Sequence, residues 1–178
     1  MLKLLMFLLL FPSVAFGLSP LYKDSLDKAY RELMYANPTI KYVWGMDKPY
    51  QGKADCSGLI TGLWRRAAIP GITRTTALRM QQNKEGWYGR EIKKLEDLDS
   101  TDLLWWTWTD TKGKPLNKDR PHGHIGMLVY DPLTGLLQVF HASASKKKAV
   151  VQRVYGQMLR DISSKQRMLH GEPKSVKD

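Results

Sequence analysis

After Gly86 the hydrophobic period of the chain changes, and that switch constrains the fold more than any other feature. Before it, apolar residues recur at helical spacing: Leu21, Leu26, Ala29, Tyr30, Leu33 and Met34 on one side of a segment from Ser19 to about Ala36, then Leu59, Ile60, Leu63 and Trp64 after Asp55. Ser19-Pro20 opens the first helix and Asn37-Pro38 stops it; Thr75 or Thr76 caps a short helix to about Asn83. After the switch, Leu103–Trp108, His124–Tyr130, Leu136–Ala142 and Ala149–Val154 read as strands, with Asp131–Gly135 as a hairpin loop. Helices first and an antiparallel meander afterwards predict an α+β fold.

The stretch Ala54-Asp55-Cys56-Ser57-Gly58-Leu59-Ile60 carries the sole cysteine. Asp55 is placed to cap a helix running to about Ala68, closed by Ile69-Pro70-Gly71, so Cys56 opens its first turn. A thiol there sits at the positive end of the helix dipole, among backbone N–H groups that lack intrahelical partners. That position favours thiolate, the attacking species. A small hydrophobe at a helix start is the competing reading.

Residues 1–17 have the form of a secretory signal peptide: a basic start at Lys3, an apolar run from Leu4 to Leu10, and small residues Ala15 and Gly17 before the cleavage point. The expected mature protein is secreted or periplasmic and has no stable membrane insertion. One cysteine allows no internal disulfide, so a free thiol kept in an oxidising compartment argues for chemistry. The formal charge is +11, or +10 without Lys3, which suits a polyanionic neighbour such as a cell wall, although a solvated basic surface would carry the same count. The basic residues are scattered, with Lys146-Lys147-Lys148 the one run, and no aromatic-interleaved basic motif points to nucleic acid.

A thiolate needs a base, and the base needs a third polar group to orient it. His124 opens one strand and His141 lies near the end of the strand paired with it. A hairpin turning at Asp131–Gly135 brings the two side by side at its open end. A zinc set of His122, His124 and His141 is the competing reading, weakened by the lack of a nearby carboxylate. His170 falls in the tail.

Six short stretches occur in one order: Tyr42-x-Trp44-Gly45, Asp55-Cys56-Ser57-Gly58-Leu59, Arg74-Thr75, Asp102-Leu103, Gly123-His124-Ile125-Gly126 and His141-Ala142-Ser143. Together, over about residues 40–155, they resemble the NlpC/P60 family of cysteine peptidases, which cut peptidoglycan stem peptides on a papain-like α+β scaffold. The resemblance implies Cys56 as nucleophile, His124 as general base and His141 as the residue orienting it. It implies Tyr42 as oxyanion support, and Asp55, Ser57 and Trp44 as substrate contacts. It implies no metal or organic cofactor, peptidoglycan or muropeptides as partner, and a monomer. The chain departs from the family in Met46 after Gly45, in Ser100-Thr101 before Asp102-Leu103, and in the aromatic Trp105, Trp106 and Trp108 followed by a loop at residues 109–121.

The expected organisation is a signal peptide over 1–17, a catalytic domain over 18–160 with its core at 40–155, and a basic tail over 161–178. An N-acetylmuramoyl-L-alanine amidase, a thiol acyltransferase and a wall-binding module without turnover are the rival functions.

Overall fold

The computed structural model describes residues 20–81, 88–92, 98–106, 123–153 and 169–173. In chain order these form α1 (Pro20–Ala36), β1 (Lys41–Tyr42), β2 (Asp47–Lys48), a 3-10 turn (Pro49–Gln51), β3 (Lys53–Ala54), α2 (Cys56–Arg66), α3 (Ala77–Gln81), β4 (Tyr88–Ile92), β5 (Leu103–Trp106), β6 (His124–Tyr130), β7 (Leu137–Ser143), β8 (Lys148–Arg153) and β9 (Leu169–Pro173). The strands form one sheet in the order β2-β3-β1-β8-β7-β6-β5-β9-β4. Only the β1–β3 pair is parallel among the described strands. The fold is mixed α+β, and the expected meander β5 to β8 forms its centre. No helix among the described residues is long and apolar enough to cross a membrane; the expected signal peptide lies outside them.

Period-two alternation divides β6 between two environments. Ile125, Met127 and Val129 join Phe140 and Ala142 of β7 in the main core, against Leu26, Ala29 and Leu33 of α1 and Leu59, Ile60, Leu63 and Trp64 of α2. Leu128 instead meets Leu104 and Val139 in a smaller cluster on the other face. His124 and Gly126 share that second face. Each fully buried Leu or Ile of the main core is worth about 1.5–3 kcal/mol against exposure, so helix positions are fixed by packing rather than propensity.

Helix α2 begins where expected and ends earlier. Asp55 is the N-cap, and Arg65 and Arg66 place positive charge on the last turn, where the carbonyl end of the dipole favours it. The helix stops because Ala68 turns into the left-handed region (φ 58°) and Ile69 N–H donates to Trp64 O at 3.1 Å. Trp105 is fully buried; Trp108 and the 109–121 loop lie outside the described residues, as does Ser19.

The segment expected as a basic tail contains β9, which bonds to β4 on one side and β5 on the other. Its Gly171 and Pro173 argue against a strand by propensity. The unpaired outer edge of β5 supplies the backbone partners that override it.

Two glycines of α2 seat the segment that precedes it. A Cβ on Gly58 would lie 1.9 Å from Met46 O, and one on Gly62 would lie 2.4 Å from the Pro49 ring. Spaced four apart, the two positions share a helix face, so β2 and the 3-10 turn lie directly on α2. Gly58→Ala is expected to destabilise the protein by about 3 kcal/mol or more, because the obstructing atoms are backbone. The 93% exposed Leu133 is the control, and Leu133→Ala should stay within about 0.5 kcal/mol. Denaturant melts of both variants check this, and equal midpoints would refute the close-packing account.

Candidate active site

The Asp55 carboxylate organises the residues around the cysteine. Its Oδ1 accepts from the Gly58 N–H at 2.7 Å and from the Ser57 hydroxyl at 3.2 Å. Its Oδ2 accepts from the Gly45 N–H at 2.8 Å and from the Arg74 guanidinium. Gly45 meets that carboxylate from a tight turn, Val43–Met46, closed by Met46 N–H to Val43 O at 3.2 Å, where its φ of 78° suits glycine. Arg74 also donates to Ser57 Oγ at 2.7 Å and to Thr75 O.

Four donors occupy the acceptor positions a carboxylate offers. Asp55 and Ser57, expected as substrate contacts, are 3% and 4% exposed; both are tied into this network and both line the cleft beside Cys56. Arg74 is the partner that sequence reasoning assigned no role. Its place in the Arg74-Thr75 stretch gave no sign that it would reach back across the chain to Asp55.

Cys56 is the first residue of α2, buried at 5% exposure. Its Sγ donates toward Gly123 O at 3.9 Å and receives the backbone N–H of Ile125, so the thiol is flanked by the residues on either side of His124. It borders a cleft of about 550 Å³ that is also lined by Trp44, Gly45, Arg74, Thr76 and Leu78. Trp44, 67% exposed, forms part of the rim, where the sequence reading put a substrate contact. Tyr42 lies on β1, paired with Ala54 of β3 two residues ahead of Cys56, half-buried against the main core.

His124 Nε2 and His141 Nδ1 are 2.8 Å apart, with ring planes at 87°. The two residues are diagonal neighbours rather than side by side. Met127 pairs with Phe140 and Leu128 with Val139, so the continued register sets Gly126 opposite His141 and His124 one diagonal away. Gly126 makes room for this. A Cβ there would lie 3.1 Å from His141 Cβ and 2.6 Å from Val139 Cγ2. The side chain of Gln152 on β8 lies beside His141 and favours its protonated form, a neighbour the sequence reading missed.

Burial sets the protonation states. It drives the His124 imidazole down to about 3, helped by His141, and lowers His141 against the pull of Gln152. Burial and then the Asp55 carboxylate push the Cys56 thiol up to about 11, outweighing the N–H groups of Ser57 and Ile125 and the Arg74 charge. The expectation that the helix start favours thiolate is therefore corrected: the resting pair is neutral thiol and neutral imidazole. Among the described residues no group of three or more His, Cys, Asp or Glu side chains is arranged to hold a metal, and His122 lies outside them.

The solved structure of NlpC2 from Trichomonas vaginalis matches this chain with a TM-score of 0.56 and 23% identity, over 86% of this chain and 47% of that one. The two share a fold. This chain spans about half the length of that protein, and the likeness at this identity is one of architecture. No family model matches the sequence, and no curated protein does.

A histidine buried neutral lowers stability in acid, because the unfolded chain binds a proton near pH 6.5 that the folded chain refuses until far lower. Stability from His124 is therefore intact above pH 6.5 and falls as pH drops toward 3, by about 2 kcal/mol at pH 5. Thermal melts at pH 7 and 5 should show that loss, and His124→Gln should flatten it. An equal acid slope in the variant would refute the buried neutral imidazole.

Proposed function

We propose that this protein is a secreted cysteine hydrolase that cleaves an amide bond in peptidoglycan stem peptides, of the γ-D-glutamyl–diamino acid endopeptidase type. The observation that carries the reading is the Cys56 thiol, which borders a cleft and meets the backbone on either side of His124, the residue whose ring lies 2.8 Å from that of His141. The shared fold with NlpC2 and the ordered motifs of the NlpC/P60 resemblance support it. The proposed catalytic unit spans residues 18–160, acts as a monomer and works outside the cytoplasm after removal of residues 1–17. The positive formal charge supports attraction to an anionic wall.

The chemistry follows from the neutral resting pair. His124 Nε2 is engaged by His141, so Nδ1 is the nitrogen that serves the thiol. As Sγ attacks the scissile carbonyl, the Sγ–H proton passes to Nδ1, and the developing oxyanion is met by the Cys56 N–H at the start of α2 and by the Tyr42 hydroxyl. The imidazolium then protonates the leaving amine. Water, deprotonated by the same nitrogen, hydrolyses the thioester and restores the thiol. His141 holds the ring in place throughout. Trp44 on the rim offers a face for the sugar or peptide.

Digestion of purified peptidoglycan, read by mass spectrometry with Cys56→Ala alongside, tests the proposal. Stem-peptide fragments should appear with the intact protein and fall at least about a thousandfold in the variant. Fragments split between muramoyl and alanine would make it an amidase instead. Equal release by both proteins, or none from several wall types, would reject the hydrolase reading.

A further inference from the structure

Three strands carry the histidine relay, and it does not end at His141. Val139 pairs with Gln152 and His141 with Val150, so Gln152 lies one diagonal from His141 on the same face, as His124 does on the other side. Because β6 and β8 both run opposite to β7, the two diagonals continue each other. His124 is level with Ser143, and Gln152 with Val139, giving a straight line of three polar side chains across β6, β7 and β8. Gln152 is partly buried, and its side chain lies beside His141, where it favours the protonated imidazole.

We infer that Gln152 is a positioning residue whose side-chain carbonyl fixes the tautomers of both imidazoles, so that His124 presents an unprotonated Nδ1 to Cys56. The inference deepens the Cys56–His124 reading above and rests on it. A neutral imidazole carries one N–H and one acceptor nitrogen. For Nδ1 of His124 to take the thiol proton, the existing proton must sit on Nε2 and be donated to His141 Nδ1. His141 then carries its own proton on Nε2, and that proton needs an acceptor. In this arrangement the acceptor is Gln152 Oε1, one diagonal away on the same face. A donor in its place would move the His141 proton to Nδ1 and force the His124 proton onto the nitrogen that must receive the thiol's. During attack the Sγ–H bond breaks and a His124 Nδ1–H bond forms, while the other protons of the line stay where they are. Gln152 therefore orients and accepts, and exchanges no proton.

Glutamine suits this position better than a carboxylate on one count. It accepts without adding charge, so the histidines stay neutral while buried. The lowered His124 basicity and the tautomer lock are compatible for that reason.

The test uses the full chain with nitrogen-15 in its histidines. Long-range proton–nitrogen spectra at pH 7 should show His124 and His141 both protonated on Nε2. Gln152→Leu should give mixed tautomers and a 10- to 100-fold slower alkylation of Cys56 by iodoacetamide, a size typical for partners one step behind a reacting group. Gln152→Glu should keep both tautomers, restore alkylation and raise the pH at which His141 titrates. A wild-type His141 protonated on Nδ1 would overturn the inference whether or not any variant folds, and so would Gln152→Leu with unchanged tautomers and alkylation. Neither readout needs a substrate. Failure to cut peptidoglycan would thus strike the proposed function alone, whereas Cys56-dependent cutting with an indifferent Gln152 would strike this inference alone.

Discussion

The Asp55 carboxylate is the interaction on which the arrangement around the thiol depends. One oxygen caps α2 and the other holds the Gly45 turn and the Arg74 guanidinium, so a single side chain sets the start of the helix, one wall of the cleft and the place of Ser57. A buried carboxylate survives only with this degree of satisfaction, since leaving one unpaired costs several kcal/mol. The backbone repeats the tie: Asp55 N–H donates to Met46 O at 2.9 Å, the same carbonyl that leaves no room for a Cβ on Gly58. Cap, turn and glycine therefore form one unit. Shifting Cys56 by even a fraction of an ångström would require all three to give.

The sheet does for the two histidines what α2 does for the thiol. His124 and His141 come from different strands, and their separation is fixed by hydrogen-bond register rather than by side-chain flexibility. A slip of one residue would send both rings to the main-core face. The hairpin that prevents it is closed by Asp131 N–H to Leu136 O at 2.9 Å and Gly135 N–H to Asp131 O at 2.8 Å. The Asp131 carboxylate also accepts from Leu133 N–H at 2.8 Å and from the Gln138 amide at 2.8 Å. The turn is thus remote from the histidines and still decides which way they point.

Much of this was legible in the sequence, and what was not has identifiable causes. Asp55 before an apolar helical period located Cys56 correctly, because a cap and a period are local signals. The histidine pairing followed from counting outward from the hairpin loop. Counting could not say whether the two faced each other squarely, since that depends on one residue of loop length, and the diagonal was signalled only by Gly126. Arg74 and Gln152 were invisible because their roles depend on contacts between distant segments. Strand β9 was missed because its glycine and proline speak against a strand, and only the open edge of β5 explains it. The thiol's protonation state was misjudged for a similar reason: sequence reveals a helix start but not how deeply it is buried.

That last point bears on how such a site combines reactivity with survival. An ordinary thiol is a few per cent thiolate at neutral pH, and burial holds Cys56 well below that fraction. Oxidants attack the thiolate, so burial protects Cys56 whenever the cleft is empty. The same burial would leave it inert without a nearby proton acceptor. In the proposed mechanism His124, itself held neutral, offers an unprotonated nitrogen, and its ionised form is stabilised only when an oxyanion develops beside it. In that mechanism the charges arise together and only during attack. A preformed thiolate–imidazolium pair would react faster with any electrophile, while a neutral pair reserves its reactivity for a ligand that completes the site.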